Sequence, residues 1–127
     1  MLDNRLKKCA ELVSGKGVAV DVGTDHAYLA AELIRSGKCE KVIASDVNEG
    51  PLESAERTVE KYGVADKVEL ILSDGLENVP LDDVTDIVIA GMGGELIAEI
   101  VRKAEFTRKK GFHMVLQPMT KTPELRR

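Results

Sequence analysis

Short runs of β-branched and other apolar residues recur along the chain, and the stretches between them repeat apolar residues every three or four positions. The short runs are typical of buried strands, and the spaced residues are typical of helices that cover a sheet. Predicted strands cover residues 17–22, 41–46, 68–72, 86–90 and 112–116. Because strands and helices alternate and each strand is almost continuously apolar, we predict an α/β fold with a parallel sheet flanked by helices.

Glycine and proline delimit the helices between these strands. Gly15, Gly37 and Gly63 follow three of the apolar repeats, as glycine often follows a helix, and Pro51 lies in a predicted first turn. The predicted apolar faces are formed by Leu2, Leu6, Ala10 and Val13, by Leu29, Leu33 and Ile34, by Leu52, Ala55 and Val59, and by Leu96, Ile97, Ile100 and Val101.

Size and composition limit the class of protein. The 127 residues suffice for one domain. No apolar stretch approaches the ~18 residues of a membrane span, and the first residues do not resemble a secretion signal, so we expect a soluble, cytoplasmic protein. Cys9 and Cys39 have no metal-ligand spacing, so we predict no metal site and two reduced, partly buried thiols.

The net charge of −4 is unevenly distributed. Residues 1–101 carry 10 Lys/Arg and 20 Asp/Glu, a net charge of −10, whereas residues 102–127 carry 8 and 2, a net charge of +6. Such asymmetry is typical of a surface that faces nucleic acid, although a solvated helix end and loop would give the same pattern.

Polar residues and glycines follow the predicted strands. In parallel α/β sheets, ligands bind outside the carboxyl ends of the strands, where the strand order reverses. We therefore expect the ligand site among Asp21, Gly23, Asp46, Asn48, Asp74, Gly75, Gly91, Met92, Gly93 and Gln117.

Asp46 has the position of a ribose-binding acid. It follows Gly23 by 23 residues, close to the ~20 residues expected in nucleotide-binding sheets. A carboxylate there suits two free ribose hydroxyls and repels a 2′-phosphate, which disfavours an NADP-type ligand. Asp74, at the end of the next strand, is then placed to meet the adenine edge. The alternative is that Asp46 only caps a helix or forms a turn.

The loop after the first strand discriminates between adenosine cofactors. A dinucleotide loop needs G-x-G-x-x-G so that backbone amides approach a pyrophosphate, but here Asp25 and Tyr28 stand at the later glycine positions. The carboxylates of Asp21 and Asp25 would oppose a pyrophosphate and favour the ammonium and sulfonium charges of S-adenosylmethionine. The alternative function is that of an NAD-dependent oxidoreductase, but the chain lacks the later glycines that a dinucleotide loop needs.

Five motifs in succession resemble those of one family. They are D-V-G-T-D-H-A-Y-L at 21–29, D-V-N-E-G-P at 46–51, D-G-L at 74–76, A-G-M-G-G-E-L-I at 90–97 and L-Q-P at 116–118. Together they resemble the bacterial tRNA adenine-22 N1-methyltransferases, the TrmK family, over nearly the whole chain. The resemblance implies a Rossmann-like class I methyltransferase that moves a methyl group from S-adenosylmethionine to N1 of adenine in tRNA and releases S-adenosylhomocysteine.

The resemblance also implies roles for single residues. Asp25 and Tyr28 would face the target base, where Asp25 would stabilise the charge of the methylated ring and Tyr28 would stack on the base or bond its edge. The alternatives are a helix N-cap for Asp25 and a packing role for Tyr28. The implied cofactor contacts are Gly23 and His26 to the methionine part, Asp46 and Asn48 to the ribose, Asp74 and Gly75 to the adenine, and Gly91, Met92 and Gly93 to the floor of the site.

Two of these assignments have local alternatives. His26 lies in a predicted turn, where histidine also serves as a local hydrogen-bonding residue. Gln117, at the exit of the fifth strand, is a candidate substrate contact but would equally satisfy nearby backbone groups.

The end of the sequence suggests a partial domain. Residues 122–127 have the pattern of a helix start. Class I methyltransferases normally add two further strands, so we expect residues 1–127 to form a partial cofactor-binding domain without those strands or the family's C-terminal helical region. An uncovered sheet edge would suit a homodimer. A cofactor-binding module without activity of its own is therefore an alternative.

Overall fold

The computed structural model describes residues 4–15, 17–24, 27–80, 83–107 and 113–118. Within these ranges, no helix is long and apolar enough to cross a membrane. The predicted helix start at residues 122–127 lies outside them. The helices are α1 (Asn4–Leu12), α2 (Tyr28–Arg35), α3 (Glu49–Lys61) and α4 (Gly94–Thr107), and the strands are β1 (Val18–Val22), β2 (Lys41–Asp46), β3 (Val68–Leu72), β4 (Val84–Met92) and β5 (His113–Pro118).

All five strands are parallel, in the order β3-β2-β1-β4-β5. This confirms the predicted parallel α/β architecture. The chain crosses from one half of the sheet to the other after β3, so the strand order reverses between β1 and β4. Ligands of such sheets lie over the carboxyl ends of the strands at this reversal.

Helices cover both faces of the sheet. One face packs against α1, α2 and α3 through a core that includes Leu33 and Val42. The other packs against α4 and the loop after β3 through a core that includes Val20, Ile87 and Ile100. Because both faces are buried, the strands have continuous apolar sequences instead of alternating ones.

β4 and β5 extend beyond their predicted ends. β4 begins at Val84 and continues through Gly91 to Met92, which pairs with Pro118 of β5. The predicted strand ended at residue 90 because glycine disfavours strands. The register shifts between Ala90 and Met92, so Gly91 forms an irregularity inside the paired strands instead of a loop after them.

The predicted apolar face of α4 is wrong at one position. Ile97 and Ile100 are buried against the sheet, whereas Leu96 is 45% exposed. Neighbouring residues of a helix differ by about 100° in direction, so Leu96 lies beside the stripe that Ile97 and Ile100 form.

A buried carboxylate joins α1 to the sheet at the amino end of β4. Asp86 accepts hydrogen bonds from the backbone N–H and the hydroxyl of Ser14 and from the hydroxyl of Thr85, each at 2.8 Å. Cys39 is a free, buried thiol, as predicted. Burial raises the pKa of Cys39 to about 11, and the negative charge of Asp86 acts in the same direction. This thiol therefore stays protonated at neutral pH.

Candidate functional site

Asp21 lies near the end of β1 with only 4% of its surface exposed. The hydroxyl of Thr24 donates a hydrogen bond to its Oδ2 at 2.9 Å. In the sheet, Asp21 lies between Ala44 of β2 and Val88 of β4. The structure therefore places this predicted site residue inside the strand and bonded to the turn that follows, next to the reversal of strand order.

The turn after β1 uses its backbone amides within the protein. The N–H groups of Gly23 and Thr24 both donate to the carbonyl of Ser45 at 2.9 Å, and the N–H of Ala27 donates to the carbonyl of Thr24 at 3.1 Å. Gly23 has a φ of 73°, a conformation that glycine adopts without steric cost. The turn is thus closed against β2, and these amides cannot form the anion-binding cradle of a dinucleotide site.

α2 begins directly after this turn. Its N-cap is Ala27, which has a left-handed backbone with a φ of 61°. A non-glycine residue in this region is strained by about 1–2 kcal/mol, and such residues concentrate at functional sites. The candidate residues Asp25 and His26 lie outside the described residues.

Asp46 ends β2 and is half-buried. Its Oδ1 accepts a hydrogen bond from the N–H of Asn48, the N-cap of α3, at 3.0 Å. Asp46 therefore does form a turn, which was the alternative interpretation. Its contact with a ligand stays a prediction. Val47 between them is 60% exposed. An apolar residue this exposed at a strand exit is a candidate ligand contact that the sequence analysis missed.

The exit of β3 lies against the exit of β2. The N–H of Ser73 donates to the carbonyl of Asp46 at 2.9 Å, so the exposed Asp74 follows directly beside Asp46. Gly75 has a φ of 64°, and a Cβ added there would lie 3.2 Å from Cγ1 of Ile100. The positive φ favours glycine at this turn, and a larger side chain would also require Ile100 to shift. Together with the bonds to Ser45, the exits of β1, β2 and β3 form one continuous edge.

The opposite side of this edge is formed by β4. Val22 pairs with Ile89, so Gly91 and Met92 lie just beyond the end of β1, and Gly93 follows with its carbonyl accepting the N–H of Ile97 at 3.0 Å. For Gly91, Met92 and Gln117 only the backbone is described. Gln117 pairs with Ala90 as a residue of β5.

Tyr28 is the first residue of α2 and is half-buried. It lines a groove of about 570 Å³ between α1 and α2. Its position fits the packing alternative, and the stacking of Tyr28 on a target base stays a prediction.

The edge formed by these exits has a definite chemical character. Asp46 ends β2, Asp74 follows β3, and a third carboxylate, Asp21, is buried in β1. The described amides after β1 are already hydrogen-bonded. Among the described residues, no group of three or more His, Cys, Asp and Glu could hold a metal ion. Fold and site together define a Rossmann-like α/β domain whose edge suits a nucleoside without a pyrophosphate.

The comparisons with known proteins agree with this class. The chain belongs to the methyltransferase-domain family, whose model matches residues 2–127. It is 39% identical to the tRNA (adenine(22)-N(1))-methyltransferase of Bacillus subtilis (strain 168) over 119 residues, which are 92% of this chain and 49% of that protein. The chain spans about half the length of the curated relatives it matches.

Two solved structures are similar over almost the whole chain. M. capricolum TrmK in complex with S-adenosylhomocysteine has a TM-score of 0.84 at 33% identity, covering 99% of this chain and 56% of that one. Streptococcus pneumoniae Sp1610 in complex with S-adenosyl-L-methionine has a TM-score of 0.88 at 39% identity, covering 99% and 59%. The resemblance to the TrmK family is therefore confirmed.

Proposed function

We propose that this chain is the cofactor-binding and catalytic part of an S-adenosylmethionine-dependent methyltransferase that acts on N1 of adenine 22 in tRNA. The observation that carries the proposal is the turn after β1, where the amides of Gly23 and Thr24 donate to Ser45. A turn closed in this way suits an adenosine compound without phosphates. The buried carboxylate of Asp21 beside it favours a positively charged ligand.

The relatives support the same cofactor and reaction. The name of the Bacillus subtilis protein gives the reaction, and the two similar structures contain S-adenosylhomocysteine and S-adenosylmethionine. This chain spans about half the length of the Bacillus subtilis protein, so we propose the activity only for the part of the protein that the chain contains.

The residues at the strand exits fit the parts of this cofactor. Asp46 is proposed to accept hydrogen bonds from the ribose hydroxyls, beside Asn48, and the exposed side chain of Val47 to pack on the adenine ring. The adenine edge would meet Asp74 and Gly75. The further proposed contacts are His26 and Gly23 to the methionine part, and Gly91, Met92 and Gly93 to the floor below the methyl group.

The reaction requires positioning more than proton transfer. S-adenosylmethionine supplies a methyl group on a positively charged sulfur. N1 of adenine has a lone pair in the plane of the ring, so the protein has to hold the base in line with that methyl group. Asp25 is proposed to stabilise the positive charge that the ring acquires, and Tyr28 and Gln117 are proposed to hold the base. Because N1 lies on the Watson–Crick edge, the adenine has to be unpaired or rotated out.

Methyl transfer to RNA tests this proposal. We expect the chain to transfer labelled methyl from S-adenosylmethionine to an unmodified tRNA transcript, and we expect the transfer to disappear when adenine 22 is replaced by guanine. Transfer that persists in the guanine transcript would contradict the proposed target. A chain that binds the cofactor and labels no RNA would instead be the cofactor-binding module without its own activity.

Two further properties belong to the same proposal. Since tRNA is the proposed substrate, we place the protein in the cytoplasm. We also propose a homodimer through the edge of the sheet at β5, where two further strands were expected, because β5 is an edge strand of the described sheet and Leu116 in it is 43% exposed. Light scattering should give the mass of two chains, and a mass of one chain would contradict the dimer.

A further inference from the structure

Among the described residues that line the groove between α1 and α2, only Tyr28 is also a candidate residue of the proposed active site. The groove measures about 570 Å³, and its walls come from both helices, from Lys38 and from Tyr62, the C-cap of α3. Its charged lining residues are Lys7, Glu11, Glu32, Arg35 and Lys38.

We propose that this groove binds tRNA beside the target base, with its cations at phosphates and its tyrosine rings beside bases. The inference rests on the proposed function, because it assumes that the substrate is an RNA. It adds a surface that the cofactor site does not contain.

The position of the groove connects it to the proposed active site. Tyr28, in its wall, begins α2 directly after the β1 turn. The eight residues of α2 then run about 12 Å back towards the start of β2, and Arg35 ends the helix. When the target base of an RNA is rotated into the site, the nucleotides next to that base have to lie on the adjoining surface of the protein. The groove supplies such a surface from the site edge outwards.

The charges of the groove differ from those of the surrounding domain. Residues 1–101 have a net charge of −10, yet three cations, Lys7, Arg35 and Lys38, line this groove. In the described part of the chain, none of the three forms an ion pair with a carboxylate; the ion pair found there joins Lys41 to Glu69. Cations without carboxylate partners are available to phosphates, which supply most of the affinity for nucleic acid.

Two aromatic rings stand among these cations. The guanidinium of Arg35 lies 5.1 Å from the centre of the Tyr62 ring, and Nζ of Lys61 lies 5.7 Å from it. Nζ of Lys38 donates to the carbonyl of Glu11 at 2.9 Å, which holds this ammonium at the groove. Interleaved cations and aromatic rings are the combination with which proteins bind single-stranded nucleic acid. An acidic peptide would use the cations alone, so the rings favour RNA.

Single substitutions of the charged residues that line the groove test whether it binds tRNA. Binding of an unmodified tRNA transcript is measured over a range of salt concentrations. We expect Lys7→Gln and Arg35→Gln each to weaken binding about fivefold at low salt and to reduce the slope of log affinity against log salt by about one. Lys67→Gln is the matched control, because Lys67 is an exposed residue outside the groove.

Removing an acid from the groove should have the opposite effect. We expect Glu11→Gln and Glu32→Gln to strengthen tRNA binding two- to fivefold, because each removes a negative charge that repels phosphates. Glu99→Gln, on α4 across the sheet, is the control and should leave the affinity unchanged. Damage to the fold would weaken binding in every variant and could not produce an increase.

The outcomes separate this inference from the proposed function. Calorimetric binding of S-adenosylhomocysteine should be equal in all variants, and its absence in the unaltered chain would overturn the proposed function itself. If the groove variants bind the cofactor and bind tRNA as tightly as the control variants do, the RNA-binding role of the groove is overturned and the proposed function stands. The groove would then be a site for a protein partner or a second copy of the chain. Absence of tRNA binding by the unaltered chain would also overturn the inference.

Discussion

The carbonyl of Ser45 accepts the amides of Gly23 and Thr24, whereas its hydroxyl is buried and has no hydrogen-bond partner among the described residues. Ser73, also buried at a strand exit, differs: its hydroxyl donates to the carbonyl of Gly75 and accepts the N–H of Asn78, both at 3.0 Å. The same residue type is thus held by its backbone in β2 and by its side chain after β3.

Because of this difference, we expect the substitution of serine by alanine to have different effects on stability at the two positions. We expect Ser45→Ala to leave the free energy of unfolding unchanged or raise it by up to about 1 kcal/mol, because it removes a buried hydroxyl without a partner. Ser73→Ala should lower it by about 1–3 kcal/mol, because it leaves the Asn78 amide unpaired. Urea denaturation measures both values, and equal losses in the two variants would contradict the assignment.

Asp46 combines a structural and a proposed ligand role, and a substitution separates them. Asparagine can still accept the hydrogen bond from Asn48 and keep the turn, but it lacks the charge. We therefore expect Asp46→Asn to retain its unfolding midpoint and to bind S-adenosylhomocysteine about ten- to a hundredfold more weakly. Asp66→Asn, at an exposed position before β3, is the control. Unchanged affinity in Asp46→Asn would limit Asp46 to the turn.

Among the helices and strands, the strands whose ends are marked by neighbouring residues in the sequence were the most predictable. β2 and β3 have the predicted bounds, because β-branched runs there end in an acid or in Ser-Asp-Gly. The ends of β4 could not be predicted, because the pairing of Met92 with Pro118 depends on a neighbouring strand that is distant in sequence. A prediction from strand propensity alone placed the end of β4 before Gly91.

The buried stripe of α4 gives a prediction at the same scale. We expect Ile100→Ala to lower the free energy of unfolding by about 2–5 kcal/mol, because it opens a cavity beneath the helix. Leu96→Ala should change it by less than about 0.5 kcal/mol, because this side chain is already exposed. Chemical denaturation of both variants checks the pair. A large loss for Leu96→Ala would mean that a further part of the protein covers it.

The candidate site was predictable where a residue type marks a strand exit. Asp46 and Gly75 were selected in this way, and the structure brings their strand exits together, while their ligand roles stay predictions. Val47 was missed because an apolar residue beside a strand is usually part of the core, and its 60% exposure is set by the turn at Asn48. The roles of Asp25 and His26 stay predictions.

At the scale of the whole molecule, the order of the strands determines which exits meet. The sequence pattern predicted alternation and a parallel sheet, but it carried no signal for the position of β1 between β2 and β4. That position brings the closed turn after β1 between the acids at the exits of β2 and β3 on one side and the glycines at the end of β4 on the other. The charge and the closed amides of this edge, taken together, favour an adenosine compound with an ammonium group and no pyrophosphate over a dinucleotide.

Calorimetric titration of the unaltered chain with S-adenosylhomocysteine and, separately, with NAD tests this claim most directly. Both ligands carry adenosine, and they differ in the pyrophosphate that the closed turn should reject. We expect saturable binding of S-adenosylhomocysteine with one site per chain and no measurable heat with NAD. Binding of NAD without binding of S-adenosylhomocysteine would contradict it.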